Sequence, residues 1–145
     1  MTQDKEFVNR RIREIYSCNP FMKLCGIEIE ELKCGEAVLG LTIEAGRHFN
    51  LNKSAHGGII ASLADTSLGV VGATIGKRVV TASLQVSYIR GIGAGERARA
   101  FSRVVSYDDK FMVIKVEVFN NEKLLAEVAA TMVIISEFAD IPSAW

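Results

Sequence analysis

The sequence predicts an α+β domain in which an antiparallel sheet of about six strands curves around one long apolar helix. The first observation is a run of 20 residues, 57–76, in which Asp65 is the only charged side chain. The second is a set of segments before and after this run that alternate between apolar and polar residues. A curved sheet would bury such a helix on most sides, which explains why it carries no Lys, Arg or Glu.

The N-terminal segment, residues 1–20, predicts one short amphipathic helix. Between residues 5 and 17, apolar side chains recur near the helical period and charged side chains occupy other positions. Asn19 and Pro20 follow, and a proline does not continue a helix. We expect this helix to pack on the surface of the domain.

Two strands are predicted between this helix and the apolar run. Residues 25–33 alternate isoleucine with glutamate, and a Cys-Gly turn separates them from a second strand over residues 37–43. Residues 45–56 are polar and predict a loop, which places His48 in solvent. The long helix then spans residues 57–75 and ends near the following glycine.

The second half predicts an antiparallel meander of strands, followed by an irregular tail over residues 136–145. In the first of these strands, simple alternation puts Thr81 and Ser83 on the face opposite Leu84. Glycines, an Asp-Asp pair and an Asn-Asn pair separate the strands. The strands are predicted at residues 79–89, 97–106, 111–119 and 124–135.

Size and charge limit the possible functions. A chain of 145 residues suits a single domain over residues 1–145. Its 17 acidic and 17 basic residues balance, which argues against nucleic-acid binding. The three cysteines match no metal or redox motif, and the charged N-terminus lacks the apolar core of an export signal. We therefore expect a cytoplasmic protein without a metal site.

The apolar run raises the question of a membrane span, because 20 helical residues extend roughly 30 Å. Asp65 lies near the middle of the run, and serines and threonines interrupt it. A carboxylate at the centre of a bilayer costs on the order of 3 kcal/mol. A helix buried inside the domain explains the same residues better, and we expect no membrane contact.

Asp65 is the first candidate for chemistry, because it is the only ionisable group in the predicted buried helix. A buried carboxylate must be paired, hydrated or protonated. No basic residue lies three or four positions away on the helix. Two interpretations remain: a functional carboxylate, or a structural one whose partner comes from another segment or a second chain.

The start of the helix, His56-Gly57-Gly58, is the second candidate. Free backbone N–H groups at a helix N-terminus can bind an anion or polarise a carbonyl, and glycines allow a ligand to approach the backbone. Asp65 also shares a helix face with small residues, which permits the close approach of a strand, a second helix or a ligand. The small residues of this face are Ser62, Gly69, Gly72 and Gly76.

Two stretches together resemble one family. NLNKSAHGGIIASLADTSLG, followed by VVTASLQVSYIRGIGAGE, resembles the PaaI-like acyl-CoA thioesterases of the hotdog superfamily. The resemblance extends over residues 19–135. It implies the hotdog fold, hydrolysis of an acyl-CoA, and no cofactor beyond the coenzyme A of the substrate.

The resemblance also implies roles for individual residues. Asp65 matches the catalytic carboxylate, as general base or nucleophile, and the N–H of Gly57 would polarise the thioester carbonyl. Asn50 would position the thioester or water, His56 would orient its loop and assist binding, and Thr81 would help to place water. Gly58 belongs to the same substrate-binding loop.

The spacing of the candidates predicts an assembly. Gly57 and Asp65 are eight residues apart, roughly 12 Å along a helix axis. A thioester must meet its attacking atom within about 3–3.5 Å while its oxygen meets the N–H donor. One helix does not readily supply both, whereas two antiparallel copies do. We therefore predict a homodimer with shared sites, and the resemblance implies that dimers pair into tetramers.

The phosphates of coenzyme A need donors near the strand ends. Arg90 and Lys110 lie just beyond predicted strands, and Ser83 and Ser106 are candidates by loose correspondence with the family. Each of these residues also fits a solvated surface position. The sequence leaves open whether the acyl group is aromatic, hydroxyaromatic or medium-chain aliphatic. Two other functions stay open: a hotdog hydratase or dehydratase, and a non-catalytic acyl-CoA-binding protein.

Overall fold

The computed structural model describes residues 2–145; Met1 lies outside them. The helices are α1 (Thr2–Tyr16), α2 (Pro20–Cys25), α3 (Ala45–His48) and α4 (Gly57–Ala73). The strands are β1 (Glu28–Lys33), β2 (Glu36–Thr42), β3 (Lys77–Tyr88), β4 (Arg97–Tyr107), β5 (Phe111–Asn120) and β6 (Lys123–Glu137).

All six strands form one antiparallel sheet in the order β1-β2-β4-β5-β6-β3, and α4 packs against its inner face. The predicted fold class is confirmed. In β5, for example, Met112, Ile114 and Val116 are buried against the helix side, while the residues between them are exposed. This alternation gives the sheet an inner face that forms the core and an outer face that faces solvent.

The segment before β1 differs from the prediction. Asn19 and Pro20 end α1, but they also begin α2: the Asn19 side chain accepts a hydrogen bond from the N–H of Met22 (3.0 Å), and proline occupies the first turn. Gly26 ends α2 with a φ of 80°, a conformation that glycine adopts easily. The first strand therefore begins at Glu28 rather than at residue 25.

The tail after β6 is irregular, as predicted, but it is packed. Phe138 and Ile141 are buried, and the indole N–H of Trp145 donates a hydrogen bond to the carbonyl of Thr74 (2.5 Å). Gly76 lies directly under this tail, because a Cβ there would come within 2.3 Å of the Ile141 carbonyl oxygen. The tail thus covers the C-terminal end of α4.

A β-bulge interrupts the pairing of β3 with β6. Thr81 pairs with Met132 and Ser83 pairs with Thr131, so Ala82 has no cross-strand partner. The extra residue puts Thr81 on the inner face together with Leu84, while Ser83 lies on the outer face. The prediction from simple alternation, which placed Thr81 and Ser83 on one face, is wrong because it assumed an uninterrupted strand.

No helix within residues 2–145 combines the length and the hydropathy that crossing a bilayer requires. Helix α4 has 17 residues, ending at Ala73.

Candidate active site

Asp65 lies on the open side of α4. Its carboxylate oxygen Oδ1 accepts a hydrogen bond from the hydroxyl of Thr81 (2.8 Å), and it forms no ion pair with any residue in the described part of the chain. The preceding residue, Ala64, is buried, whereas Asp65 itself is exposed. The prediction that the sheet buries this carboxylate is therefore wrong for the single chain. The curved sheet covers only one side of the helix.

The N-terminus of α4 is capped by His56. Its ring nitrogen Nδ1 accepts a hydrogen bond from the N–H of Gly58 (2.8 Å). A Cβ on Gly58 would come within 3.0 Å of that nitrogen, so glycine suits this cap. The N–H of Gly57 is the first of the helix and has no acceptor within residues 2–145. One polarised donor therefore remains available beside the capped one.

Tyr88 packs against this helix start from the end of β3. Its hydroxyl donates a hydrogen bond to the carbonyl of Gly57 (2.7 Å), and a Cβ on Gly57 would come within 3.2 Å of the tyrosine ring. The ring thus occupies the space beside the glycine. The family motif in the sequence includes Tyr88, but no role was predicted for it. The signal that could have identified it is its hydroxyl, because Tyr88 follows the apolar residues on the inward-facing side of β3.

The loop before α4 is shaped by Asn50. The side-chain oxygen of Asn50 accepts hydrogen bonds from the N–H groups of Asn52 (2.9 Å) and Ser54 (3.2 Å). Its amide nitrogen donates to the hydroxyl of Ser54 (3.2 Å). These bonds form an Asx turn. In the single chain, Asn50 therefore contacts its own loop and neither Asp65 nor Thr81.

His48 anchors the start of this loop. It ends α3 and is only 3% exposed, so the prediction that it lies in solvent is wrong. Its Nδ1 accepts from the N–H of Glu44 (2.9 Å), which leaves Nε2–H to donate to the carbonyl of Cys25 (2.8 Å). The carbonyl of His48 in turn accepts from the N–H of His56 (2.7 Å). The buried histidine thereby fixes the backbone that leads to the helix cap.

The residues predicted to contact coenzyme A lie in different places. Arg90 is exposed two residues beyond Tyr88, near the start of α4. Lys110 lies in the β4–β5 turn with its ammonium 5.2 Å from the Phe111 ring centre. Ser83 and Ser106 lie on the outer face of the sheet, away from Asp65. Within residues 2–145, no three His, Cys, Asp or Glu side chains cluster as metal ligands would.

The chain matches a known family over most of the site. The family model described as the thioesterase superfamily covers residues 52–135, from the loop before α4 into the last strand, β6. The chain belongs to the thioesterase superfamily. The prediction of a thioester hydrolase is confirmed, and the candidate residues of α4 and β3 lie inside the matched region.

Individual members of the superfamily agree with this assignment. The medium/long-chain acyl-CoA thioesterase YigI of Escherichia coli is 32% identical over 79% of this chain and 85% of its own length. The acyl-coenzyme A thioesterase PaaI of Escherichia coli is 28% identical over 75% of this chain and 77% of its own. The structure of Escherichia coli PaaI superposes with a TM-score of 0.85, at 25% identity, over 90% of this chain and 95% of that one. The predicted PaaI-like hotdog fold is confirmed.

Proposed function

We propose that this thioesterase hydrolyses an acyl-CoA to a free acid and coenzyme A, with Asp65 as the catalytic carboxylate. The observation that carries the proposal is the state of Asp65. It is exposed on the open side of α4 and hydrogen-bonded to Thr81, with no cation of the described chain against it. The names of YigI and PaaI, both acyl-CoA thioesterases, support coenzyme A as the carrier of the acyl group.

The hydrogen bond from Thr81 supports a defined role for the carboxylate. It occupies Oδ1 and orients the group, which leaves Oδ2 to act on the substrate. As a general base, Asp65 takes a proton from water while the water oxygen bonds to the thioester carbon. The C–S bond then breaks, and the thiolate of coenzyme A leaves and is protonated. As a nucleophile, the carboxylate would instead form an anhydride that water opens.

The N–H of Gly57 is proposed to stabilise the oxyanion that forms in either route. It is a helix N-terminal donor without a partner in the chain, where the helix dipole favours negative charge. Tyr88 fixes the next peptide through its bond to the Gly57 carbonyl. His56 is proposed to orient this loop through its cap on Gly58, and Asn50 to shape the loop and assist in positioning thioester or water.

The site is proposed to form between two copies of the chain. Gly57 and Asp65 lie on the same helix, roughly 12 Å apart along its axis. This separation is too large for both to act on one thioester, because the carbonyl oxygen must meet the Gly57 N–H while the carbonyl carbon lies near Asp65. Strand β3 is an edge strand that pairs only with β6, and Val80 and Tyr88 on it are about half exposed. A long exposed edge is available for pairing with a second chain. A homodimer would bring Gly57, His56 and Asn50 of one copy toward Asp65 and Thr81 of the other.

Contacts to coenzyme A are proposed around the same helix start. Arg90 follows Tyr88 by two residues and is exposed, so it is the strongest candidate for a phosphate. Gly58 allows a ligand to approach the backbone. Lys110, Ser83 and Ser106 are proposed as more distant contacts. We also propose that residues 1–145 act as one cytoplasmic domain, with no cofactor beyond the substrate's coenzyme A.

The test is a panel of aromatic, hydroxyaromatic and medium-chain acyl-CoAs assayed for release of free thiol. Asp65→Asn removes the carboxylate charge at nearly constant shape, and we expect turnover to fall at least about a hundredfold. Asp109→Asn, in the exposed β4–β5 turn, is the matched control and should retain full turnover.

Near wild-type hydrolysis by Asp65→Asn would contradict the assignment of the carboxylate. A wild-type protein that binds acyl-CoA but releases no thiol would instead favour the non-catalytic alternative.

A further inference from the structure

Helix α4 is open to solvent along only part of its length. On its open side, Ser62, Asp65 and Gly69 are at least partly exposed, whereas every residue from 70 to 76 is buried. Gly69 lies four residues beyond Asp65, which is roughly 6 Å along the helix axis. The open side that carries the proposed catalytic carboxylate therefore ends at Gly69, about one turn beyond it.

Tyr16, the last residue of α1, closes the open side at this point. A Cβ on Gly69 would come within 3.1 Å of the Tyr16 hydroxyl oxygen, so the hydroxyl lies directly against the backbone of α4. Val8 and Ile12 on the same helix are almost completely buried, which fixes α1 to the domain. The tyrosine is therefore held in place as an end wall.

This end wall carries no charge. Burial raises the pKa of Tyr16 to about 12, although the nearby guanidinium of Arg78 lowers it in part. The hydroxyl therefore stays protonated at neutral pH. An uncharged, mostly apolar ring suits contact with an uncharged acyl group.

A cleft of about 390 Å³ lies beyond the tyrosine. Tyr16 lines it together with apolar side chains of α1, β3, β6 and the tail, which are Ile15, Val79, Ile135 and Phe138. Neither Asp65 nor Gly69 lines this cleft. Because Tyr16 both meets Gly69 and lines the cleft, its ring separates the cleft from the open side of α4.

The proposed dimer determines the direction in which an acyl group extends from Asp65. If Gly57 of one copy lies beside Asp65 of the other, two antiparallel helices face each other at residue 61, midway between them. The paired helices then fill the space on that side of the carboxylate. On the Gly69 side, the second helix has already ended, so the acyl group extends over Gly69 toward Tyr16.

We propose that Tyr16 is a specificity-determining residue: the acyl group lies over Gly69 and ends against the tyrosine, which keeps long chains out of the cleft beyond. This inference rests on the hydrolysis proposed above and adds the class of acyl group. The roughly 6 Å between Asp65 and Gly69 fits a compact group, such as a short aliphatic chain or one aromatic ring. A long chain fits only if the ring is displaced.

The experiment measures kcat/KM for hexanoyl-CoA and dodecanoyl-CoA by thiol release. We expect the wild type to prefer hexanoyl-CoA at least about tenfold, because the longer chain must displace a packed ring. Tyr16→Ala joins the open side of α4 to the cleft, and it should raise the ratio of dodecanoyl-CoA to hexanoyl-CoA at least about tenfold. Ile15→Ala, the neighbouring position of α1, controls for loosening of that helix and should keep the wild-type ratio.

Gly69→Ala is a second variant, which leaves α1 unchanged. Alanine favours the helix, and its methyl group meets the Tyr16 hydroxyl and narrows the proposed acyl site from the side of α4. We expect the ratio of kcat/KM for hexanoyl-CoA to that for acetyl-CoA to fall at least about threefold. An unchanged ratio would overturn the proposal even if Tyr16→Ala did not fold.

The proposal is also overturned if the wild type prefers dodecanoyl-CoA, if folded Tyr16→Ala keeps the wild-type ratio, or if Ile15→Ala shifts the ratio as much as Tyr16→Ala does. Absence of thiol release from the wild type with every acyl-CoA would instead contradict the proposed hydrolysis. The same length limit is then measured by calorimetric binding of the two acyl-CoAs, so the two failures are distinguishable.

Discussion

A single hydroxyl orients the proposed catalytic carboxylate. Thr81 donates to Asp65 across 2.8 Å, from β3 to α4. A hydrogen bond to a charged group contributes about 1.5–3 kcal/mol, which corresponds to roughly a tenfold to hundredfold change in rate if it acts in the transition state. The bond therefore has a size that kinetics can resolve.

We expect Thr81→Val to lower kcat about tenfold to hundredfold, because valine keeps the shape of threonine but offers no donor. Thr81→Ser keeps the hydroxyl and should retain most of the activity. Steady-state kinetics of both variants on the best acyl-CoA decides the question. An undiminished kcat in Thr81→Val would show that the hydroxyl does not orient the carboxylate.

At the scale of single residues, the sequence predicted the features whose pattern lies within one local segment. Asp65 and His56-Gly57-Gly58 were predicted as candidates from one helix and its start, and the structure places Gly57, Gly58 and Asp65 on α4 and His56 at its N-cap. Contact between Asp65 and Thr81 depends on a bulge that alternation does not reveal. The burial of His48 depends on Cys25, 23 residues away. Such contacts arise from tertiary packing, which composition and periodicity do not encode.

The loop between α3 and α4 shows how one element supports the next. His48 bonds to Glu44 and Cys25, and its carbonyl bonds to the N–H of His56. The backbone that begins α4 is thus fixed from within the core. The sequence predicted only a polar loop here, because a helix of four residues, such as α3, is too short to show a periodic pattern.

The two histidines should behave differently on substitution. His48→Ala leaves a backbone N–H and a carbonyl without their buried partner, so we expect it to lower the free energy of unfolding by about 2–4 kcal/mol. His56→Ala removes only a helix cap and should cost about 0.5–2 kcal/mol.

Urea unfolding of both variants, followed by circular dichroism, measures this difference. Similar stability losses in the two variants would mean that the hydrogen bonds of His48 do not anchor the loop.

At the scale of the whole molecule, the strands were predictable and their assembly was only partly so. Alternation predicted all six strands, because a sheet with one buried face imposes a period of two on its sequence, and the apolar run of residues 57–76 predicted the central helix. It did not predict that β3 would be the edge strand or that one side of α4 would be open. The edge position of β3 and the open side of α4 each leave a surface uncovered in the single chain. We propose that a second copy of the chain covers both surfaces.

A mixing experiment tests the shared site. Asp65→Asn removes the carboxylate, and Gly57→Val crowds the Tyr88 ring and blocks the helix start. In random mixtures half of the dimers are hybrids, and each hybrid has one complete site out of two. We therefore expect about a quarter of the wild-type activity from two inactive variants.

Differently tagged chains, refolded together, allow native mass spectrometry to confirm that hybrids form. Hybrids without activity would contradict a site built from Gly57 of one copy and Asp65 of the other.

The unpartnered Ala82 has a consequence for any attempt to graft this strand onto another scaffold. Before it, odd-numbered residues point toward α4; after it, even-numbered residues do. One inserted or deleted residue at this point would swap the two sides of everything upstream, and the hydroxyl of Thr81 would turn away from the helix. The exact number of residues in β3 therefore matters to the proposed reaction centre as much as its side chains do.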